Sequence, residues 1–366
     1  MIHKPKPLTF HAPIRGRGAR ENPTGRFESR TWESDAETYN ALLEANVDEP
    51  GKQVPTQVFR DTSRSIISTN DSPDLVMDST INPYKGCEHG CIYCYARPMH
   101  EYLGMSAGID FETKIFMKDE AAQLLRQEIS CKSWKPRTLV LSGATDPYQP
   151  LEREKKITRA CLEVLRDFHH PAAIITKNNL VTRDIDIFQD MAGFNTIIVN
   201  LSITTLDAKL ARHMEPRAST PSLRLRALET LAKAGIPVGV IMGPVLPGLT
   251  EHEIPAILKA AANAGAETAG FTILRLPHGV KDLFQSWLAE HYPDRAGKIL
   301  NRLRAMHNGK LYDSNFGTRR TGTGIEAEQI AKMFAFYRKR YGLTHRRPLT
   351  TEHFRRDVGS GQMSLF

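Results

Sequence analysis

From residue 78 to about residue 276 the chain alternates between two patterns. Short, almost wholly apolar runs rich in β-branched residues occupy 79–84, 138–142, 172–176, 196–202, 238–243 and 270–275. Between them lie longer segments in which apolar positions return every three or four residues. An uninterrupted apolar run suits a parallel strand buried on both faces, and the longer period suits an amphipathic helix lying on it. Residues 157–168 put Ile157, Cys161, Val164, Leu165 and Phe168 on one stripe, so Cys161 reads as a core thiol. A helix from Pro221 is punctuated by Thr220 as N-cap and by Gly235 beyond its end. The Thr250 to Glu253 spacing is that of a capping box. Six β-then-α units predict an α/β fold with six parallel strands and right-handed crossovers, fewer than the eight of a closed barrel.

The flanks follow other rules. Residues 1–75 are rich in Arg, Gly, Pro, Asn, Ser and Asp without sustained periodicity, and predict an extended or partly disordered arm with a basic glycine-rich stretch at 14–20. Residues 76–310 form the α/β unit, in which 280–310 read as helices closing its open side. Residues 311–358 read as a basic helical appendage whose helix, 325–341, partly buries Met333, Phe334, Phe336 and Tyr337. Residues 359–366 read as a flexible tail.

The 366 residues carry a net charge of +8, and 317–357 contain ten basic against four acidic residues, a balance that favours polyanions such as nucleic acid. The N-terminus has no apolar run long enough for a signal peptide, and none elsewhere reaches membrane-spanning length. A cytoplasmic protein without membrane association is expected.

Candidate chemistry concentrates in Cys87-Glu88-His89-Gly90-Cys91-Ile92-Tyr93-Cys94, inside a chain of only five cysteines. Thiolates at this spacing can converge on a soft inorganic centre and leave one coordination position open. The residues alone leave three other readings: a zinc site completed by His89 or His100, an electron-transfer cluster with a further ligand, or a disulfide.

The Cys-x3-Cys-x2-Cys pattern, with an aromatic residue before the last cysteine, resembles the signature of the radical S-adenosylmethionine (radical SAM) superfamily. That resemblance implies a partial (β/α)6 barrel, here with an extended N-terminal arm and a basic C-terminal appendage. It implies a 4Fe-4S cluster held by Cys87, Cys91 and Cys94, with S-adenosylmethionine on the fourth iron, reductive cleavage to a 5′-deoxyadenosyl radical, and an electron donor such as flavodoxin or ferredoxin. Tyr93 takes the aromatic position near the adenine.

The same resemblance assigns the strand ends, where parallel α/β folds gather their chemistry. After the second strand, Ser142, Thr145 and Asp146 stand where the family holds the SAM amino group. Lys177 offers a cation to the SAM carboxylate, and Ser202 and Thr204 offer hydroxyls to the ribose. Gly239, Ile241 and Gly243 match a Gly-x-Ile-x-Gly segment around the adenine, with Leu246 where the family has glutamate. Within the superfamily, residues 91–104, 142–152 and 175–187 resemble the branch that includes spore photoproduct lyase, which uses a cysteine after the second strand as hydrogen donor. Residues 141–152 contain no cysteine, and Tyr148 is the candidate replacement. The branch implies a nucleic-acid lesion or nucleotide as substrate; RNA, protein or metabolite substrates, and a redox-sensing protein without SAM turnover, are the alternatives. Finally, Gln362, Leu365 and Phe366 resemble the Gln-Leu-x-Leu-Phe peptide that docks on the bacterial DNA sliding clamp, two apolar side chains filling a groove and the glutamine bonding at its edge.

Overall fold

The computed structural model describes residues 8–9, 14, 16–28, 54–74, 78–345 and 347–356. All six predicted strands form: β1 (Ser79–Ile81), β2 (Leu139–Leu141), β3 (Ala172–Thr176), β4 (Ile197–Ser202), β5 (Val238–Val245) and β6 (Thr268–Ile273). They lie side by side in chain order, every neighbouring pair parallel. Leu141, Ile174, Leu201 and Val240 are buried within this sheet, which explains why the strands carry so few polar residues.

Two differences concern β1. The apolar run expected at 79–84 breaks after Ile81, because Pro83 lacks an N–H and disfavours continuation. Tyr84–Lys85 then turns away and pairs antiparallel with Lys114–Met117, which also pairs with Gln57–Arg60 in a separate three-stranded sheet. Outside β1, Ile67–Thr69 adds an antiparallel edge strand. Its polar, half-exposed sequence gives no strand signal.

The crossovers are α1 (Ala121–Ser130), α2 (Ile157–Asp167), α3 (Ile185–Ala192), α4 (Pro221–Lys233) and α5 (Ile254–Asn263); α6 (Val280–His291), α7 (Pro293–Met306) and α8 (Gly324–Arg340) follow β6. Cys161 is fully buried on the predicted α2 stripe. Thr220 Oγ1 accepts from Leu223 N at 3.4 Å at the start of α4, and Gly235 takes a φ of 79° beyond its end. The capping box does not form. Thr250 Oγ1 instead accepts from Leu246 N at 2.9 Å, and the Glu253 carboxylate accepts from Thr205 Oγ1 and Leu206 N, at 2.5 and 2.7 Å. Glu253 therefore ties α5 to the loop after β4. On α8, Phe334 packs against Phe271 of β6, ring centroids 4.6 Å apart, whereas Phe336 is exposed. No helix among the described residues is long and apolar enough to cross a membrane.

One buried histidine makes the fold sensitive to acid. His170 is fully buried at the start of the segment leading to β3, and its Nε2 accepts from Trp134 Nε1 at 3.1 Å. Burial holds its pKa down at about 4. Between about pH 6.5 and 4 the unfolded chain binds a proton here that the folded chain refuses, so stability falls as pH drops through that window. Urea denaturation should show a loss of about 3 kcal/mol from this residue across the window, and H170Q should remove that share of the slope and leave the share due to His100, which burial also holds down at about 4.

Candidate active site around the cysteine loop

The loop carrying Cys87, Cys91 and Cys94 follows Tyr84–Lys85 and is held from below by one arginine. The Arg97 guanidinium is wholly buried; its Nε donates to Cys91 O at 2.9 Å, its Nη1 to Ala107 O and Gly108 O at 3.1 and 3.0 Å, and its Nη2 to Gly90 O at 3.3 Å. The same guanidinium pairs with buried Glu112 at 2.6 Å. Glu112 in turn accepts from Gly18 N and Ala19 N at 2.9 and 2.8 Å, so the glycine-rich arm is docked against the loop. Arg17 joins it, donating to Glu112 O at 2.6 Å. Glycine is required at the motif's fourth position: Gly90 has a φ of 67°, and a Cβ there would lie 2.6 Å from Glu112 Oε2.

Cys87 and Cys91 are buried and Cys94 is half-buried. Burial pushes the Cys87 thiol well up, aided by the charges of Asp146, Cys91 and Cys94 around it. Burial also raises Cys91, with Lys177 opposing. Among the described residues no group of three or more His, Cys, Asp or Glu closes on a single point as ligands of one ion do. In an iron-sulfur cluster each thiolate binds its own iron, so three cysteines on one loop, with Cys91 and Cys94 near enough to raise the Cys87 thiol, fit that group.

Beneath the loop lies a buried ionic network. Tyr93 donates its hydroxyl to Glu215 and sits 3.2 Å from Thr204 Oγ1, which donates to Glu215 Oε1 at 2.9 Å. Arg224 pairs with Glu215 and donates to Ser202 O at 2.9 Å and to Ser219 O at 2.8 Å. Ser202 Oγ and Thr204 Oγ1 both reach Gly243 O, at 3.3 and 3.5 Å, so the ends of β4 and β5 meet here with Ile241 alongside. Gly239 lies deeper in β5, where a Cβ would be 2.4 Å from Asn200 Oδ1 and from Thr268 Oγ1. Its role is strand packing.

The loop after β2 is clamped to β3 by Asp146. This carboxylate accepts from Thr176 Oγ1 at 2.6 Å, Lys177 N at 2.7 Å and Tyr148 N at 2.9 Å, and faces His89 Nδ1 at 3.3 Å. Burial works to raise it, but His89 and these donors win and hold it at about 2. Ser142 Oγ donates to Thr145 O at 3.5 Å, and Thr145 Oγ1 to Tyr84 O at 3.4 Å. The Lys177 ammonium lies 5.8 Å from the Tyr93 ring centroid and makes no ion pair among the described residues. Tyr148 is elsewhere: it is fully buried, and its hydroxyl donates to Asp184 at 2.9 Å. That partner and that burial make it a core side chain, in place of the hydrogen donor expected from its position after β2.

A cavity of about 600 Å³ opens between β1 and β6, lined among others by Thr80, Asn82, Tyr95, Gly143, Thr272 and Arg275. Tyr95, next to Cys94, is 47% exposed and donates its hydroxyl to Gly143 O at 2.7 Å. Sequence reasoning misses Arg97, Glu112, Glu215, Arg224 and Tyr95. One of them leaves a signal: Arg224 falls on the inward stripe of α4 with Pro221, Ala227, Leu228 and Leu231, where an arginine needs a buried partner.

The family model described as the radical SAM superfamily matches residues 81–261. An uncharacterized protein of Mycobacterium tuberculosis is 34% identical over 235 residues, covering 64% of this chain and 68% of its own. One from Methanocaldococcus jannaschii is 31% identical over 222 residues, covering 61% of this chain and 79% of its own. Among solved structures, a variant of spore photoproduct lyase superposes with a TM-score of 0.54 at 16% identity, covering 84% of this chain and 92% of that one. Another variant, bound to S-adenosylmethionine and a dinucleoside spore photoproduct, gives 0.53 at 16% identity, covering 83% and 91%. Such likenesses establish a shared fold. With the cysteine loop after the first of six parallel strands and the family match running from the end of β1 through β5, the chain belongs to the radical SAM superfamily, whose members use a 4Fe-4S cluster and S-adenosylmethionine.

Proposed function

We propose that Cys87, Cys91 and Cys94 each hold one iron of a 4Fe-4S cluster and leave the fourth iron to S-adenosylmethionine. The carrying observation is that three cysteines share one loop, Cys87 and Cys91 buried and Cys94 half-buried, with Cys91 and Cys94 near enough to act on Cys87, while Cys131 is exposed at the end of α1 and Cys161 is packed in α2. Bound there, the cluster supplies an electron that cleaves S-adenosylmethionine to methionine and a 5′-deoxyadenosyl radical able to abstract hydrogen from a substrate.

The chain's own residues orient and shield. Arg97 fixes the loop through its carbonyls. Lys177, without a carboxylate partner among the described residues, is the cation for the SAM carboxylate. Ser202 and Thr204 keep lone pairs for the ribose, and Tyr93, Ile241 and Gly243 shape the adenine side. The hydroxyls of Ser142 and Thr145 stand beside Asp146 on the side assigned to the amino group. The substrate is a nucleic-acid lesion or nucleotide, a reading supported by the arginines that line the cavity. A flavodoxin or ferredoxin supplies the electron in the cytoplasm. Gln362, Leu365 and Phe366 lie outside the described residues; we assign them to sliding-clamp docking, so full-length protein should bind a bacterial clamp at micromolar affinity or tighter and the double variant L365A/F366A should not.

Electron paramagnetic resonance tests the open iron. After anaerobic reconstitution and reduction, adding S-adenosylmethionine should change the g values of the cluster signal. A cluster signal indifferent to S-adenosylmethionine would sink the assignment.

A further inference from the structure

The wall of the cavity that follows β6 holds two adjacent guanidiniums with little to neutralise them. Arg275 lies 5.5 Å from the Tyr95 ring centroid, and its Nε is buried without a hydrogen-bond partner among the described residues. Arg320 lines the same cavity. It donates to the main-chain oxygen of Asp74, whose carboxylate is already taken by Arg319 and by Gly317 N at 2.6 Å. Burial, first, and the nearby Arg275 and Arg319 charges press the Arg320 guanidinium below its ordinary range, although Tyr95 and the Asp74 carboxylate work the other way. Two like charges in a half-buried wall are costly unless an anion joins them, and phosphate oxygens match the guanidinium fork.

The mouth of the cavity adds a second, independent feature. Phe27 and Tyr102 are 59% and 72% exposed, with ring centroids 5.0 Å apart and the Arg26 guanidinium over both at 5.0 and 5.8 Å. Phe316 is also exposed, under Arg319 at 4.2 Å. Tyr102, Arg26 and Arg319 line the cavity itself, and exposed aromatics set beside arginines at a basic cavity form the stacking platforms and charged groove that hold unpaired nucleic-acid strands.

We propose that Arg275 and Arg320 form a phosphate-binding fork, and that the substrate is a nucleotide unit of an unpaired nucleic-acid strand whose neighbouring bases stack on Phe27 and Tyr102. This rests on the nucleic-acid reading above and specifies it: the strand is recognised by one phosphate in the wall and by stacking at the rim. A free phosphorylated metabolite would use the fork without the rim.

The test is fluorescence anisotropy with the reconstituted full chain and a labelled ten-nucleotide oligothymidylate over a salt series. An abasic strand of equal length and inorganic pyrophosphate serve as competitors. R275Q alone should weaken binding about tenfold, and R275Q/R320Q further, with the slope of log affinity against log salt shallower by about 1. Arg275 has no hydrogen bond within the described chain, so R275Q stays readable if R320Q proves unstable. Y102A should weaken oligothymidylate binding at least about fivefold while leaving the abasic strand's affinity unchanged. K332Q, on the exposed face of α8, controls for net charge and should change nothing.

Overturning results are no strand binding by the natural chain, weakening by K332Q equal to that by R275Q, or pyrophosphate bound through the fork with no strand affinity. Strand binding that depends on Arg275 in a protein that forms no 5′-deoxyadenosine would defeat the radical reading and leave this one standing. 5′-Deoxyadenosine formation without strand binding would do the reverse.

Discussion

Alanine at any one of Cys87, Cys91 or Cys94 is expected to reduce 5′-deoxyadenosine formation to the level seen without protein. Each thiolate accounts for one of three protein-held irons, so losing one removes the constraint that keeps a single iron for S-adenosylmethionine. The fold should barely register the change. These thiols sit on a loop whose shape is set by the Arg97 bonds to Gly90 O and Cys91 O, and alanine leaves those intact. Cys161 gives the opposite pattern. It fills the core between α2 and the sheet, so C161A should retain product and lose about 1 kcal/mol or more of stability through the cavity it leaves. Iron per chain, product by chromatography and urea midpoints together separate the two classes. Full product from C87A would contradict the ligand assignment.

Arg97→Ala should destabilise the protein by about 3–5 kcal/mol, the range for removing one partner of a buried pair. Glu112 would be left charged and almost solvent-free, holding only the two arm amides of Gly18 and Ala19. Four carbonyls, those of Gly90, Cys91, Ala107 and Gly108, would lose their donor at the same time. The cysteine loop should therefore fail to load iron even under conditions where the variant is folded. R97K keeps the charge but not the planar fork, and should fall between the two. Chemical denaturation and iron content measure both effects; an R97A protein of natural stability would show that the loop has another support.

The fold was legible because buried parallel strands must be apolar throughout, and 172–176 and 196–202 announce themselves in that way. The edge strand Ile67–Thr69 was not, since its ladder depends on a partner already in place and only Ile67 of its three side chains packs against the core. The same division holds at the site. The cysteines stand out by their spacing, and the glycines of β5 because close packing leaves no room for a side chain at Gly239. Glu112 and Glu215 are silent, because no local pattern marks either carboxylate. Glu112 draws its meaning from Arg97 and from the amides of a distant arm. Glu215 draws its own from Arg224 and Tyr93, which reach it from other elements. Tyr148 and Tyr95 show the limit most plainly. Both follow motifs that end at the active-site face, yet backbone direction turns the first into the core and the second into the cavity.

The measurement that bears most directly on the central claim is quantification of 5′-deoxyadenosine and methionine after anaerobic reconstitution, chemical reduction and addition of S-adenosylmethionine. The expected result is equal amounts of both products, dependent on reductant and absent from the C87A, C91A and C94A proteins. An intact cluster that yields neither product under reduction would contradict radical chemistry and leave an iron-sulfur protein that does not turn over S-adenosylmethionine.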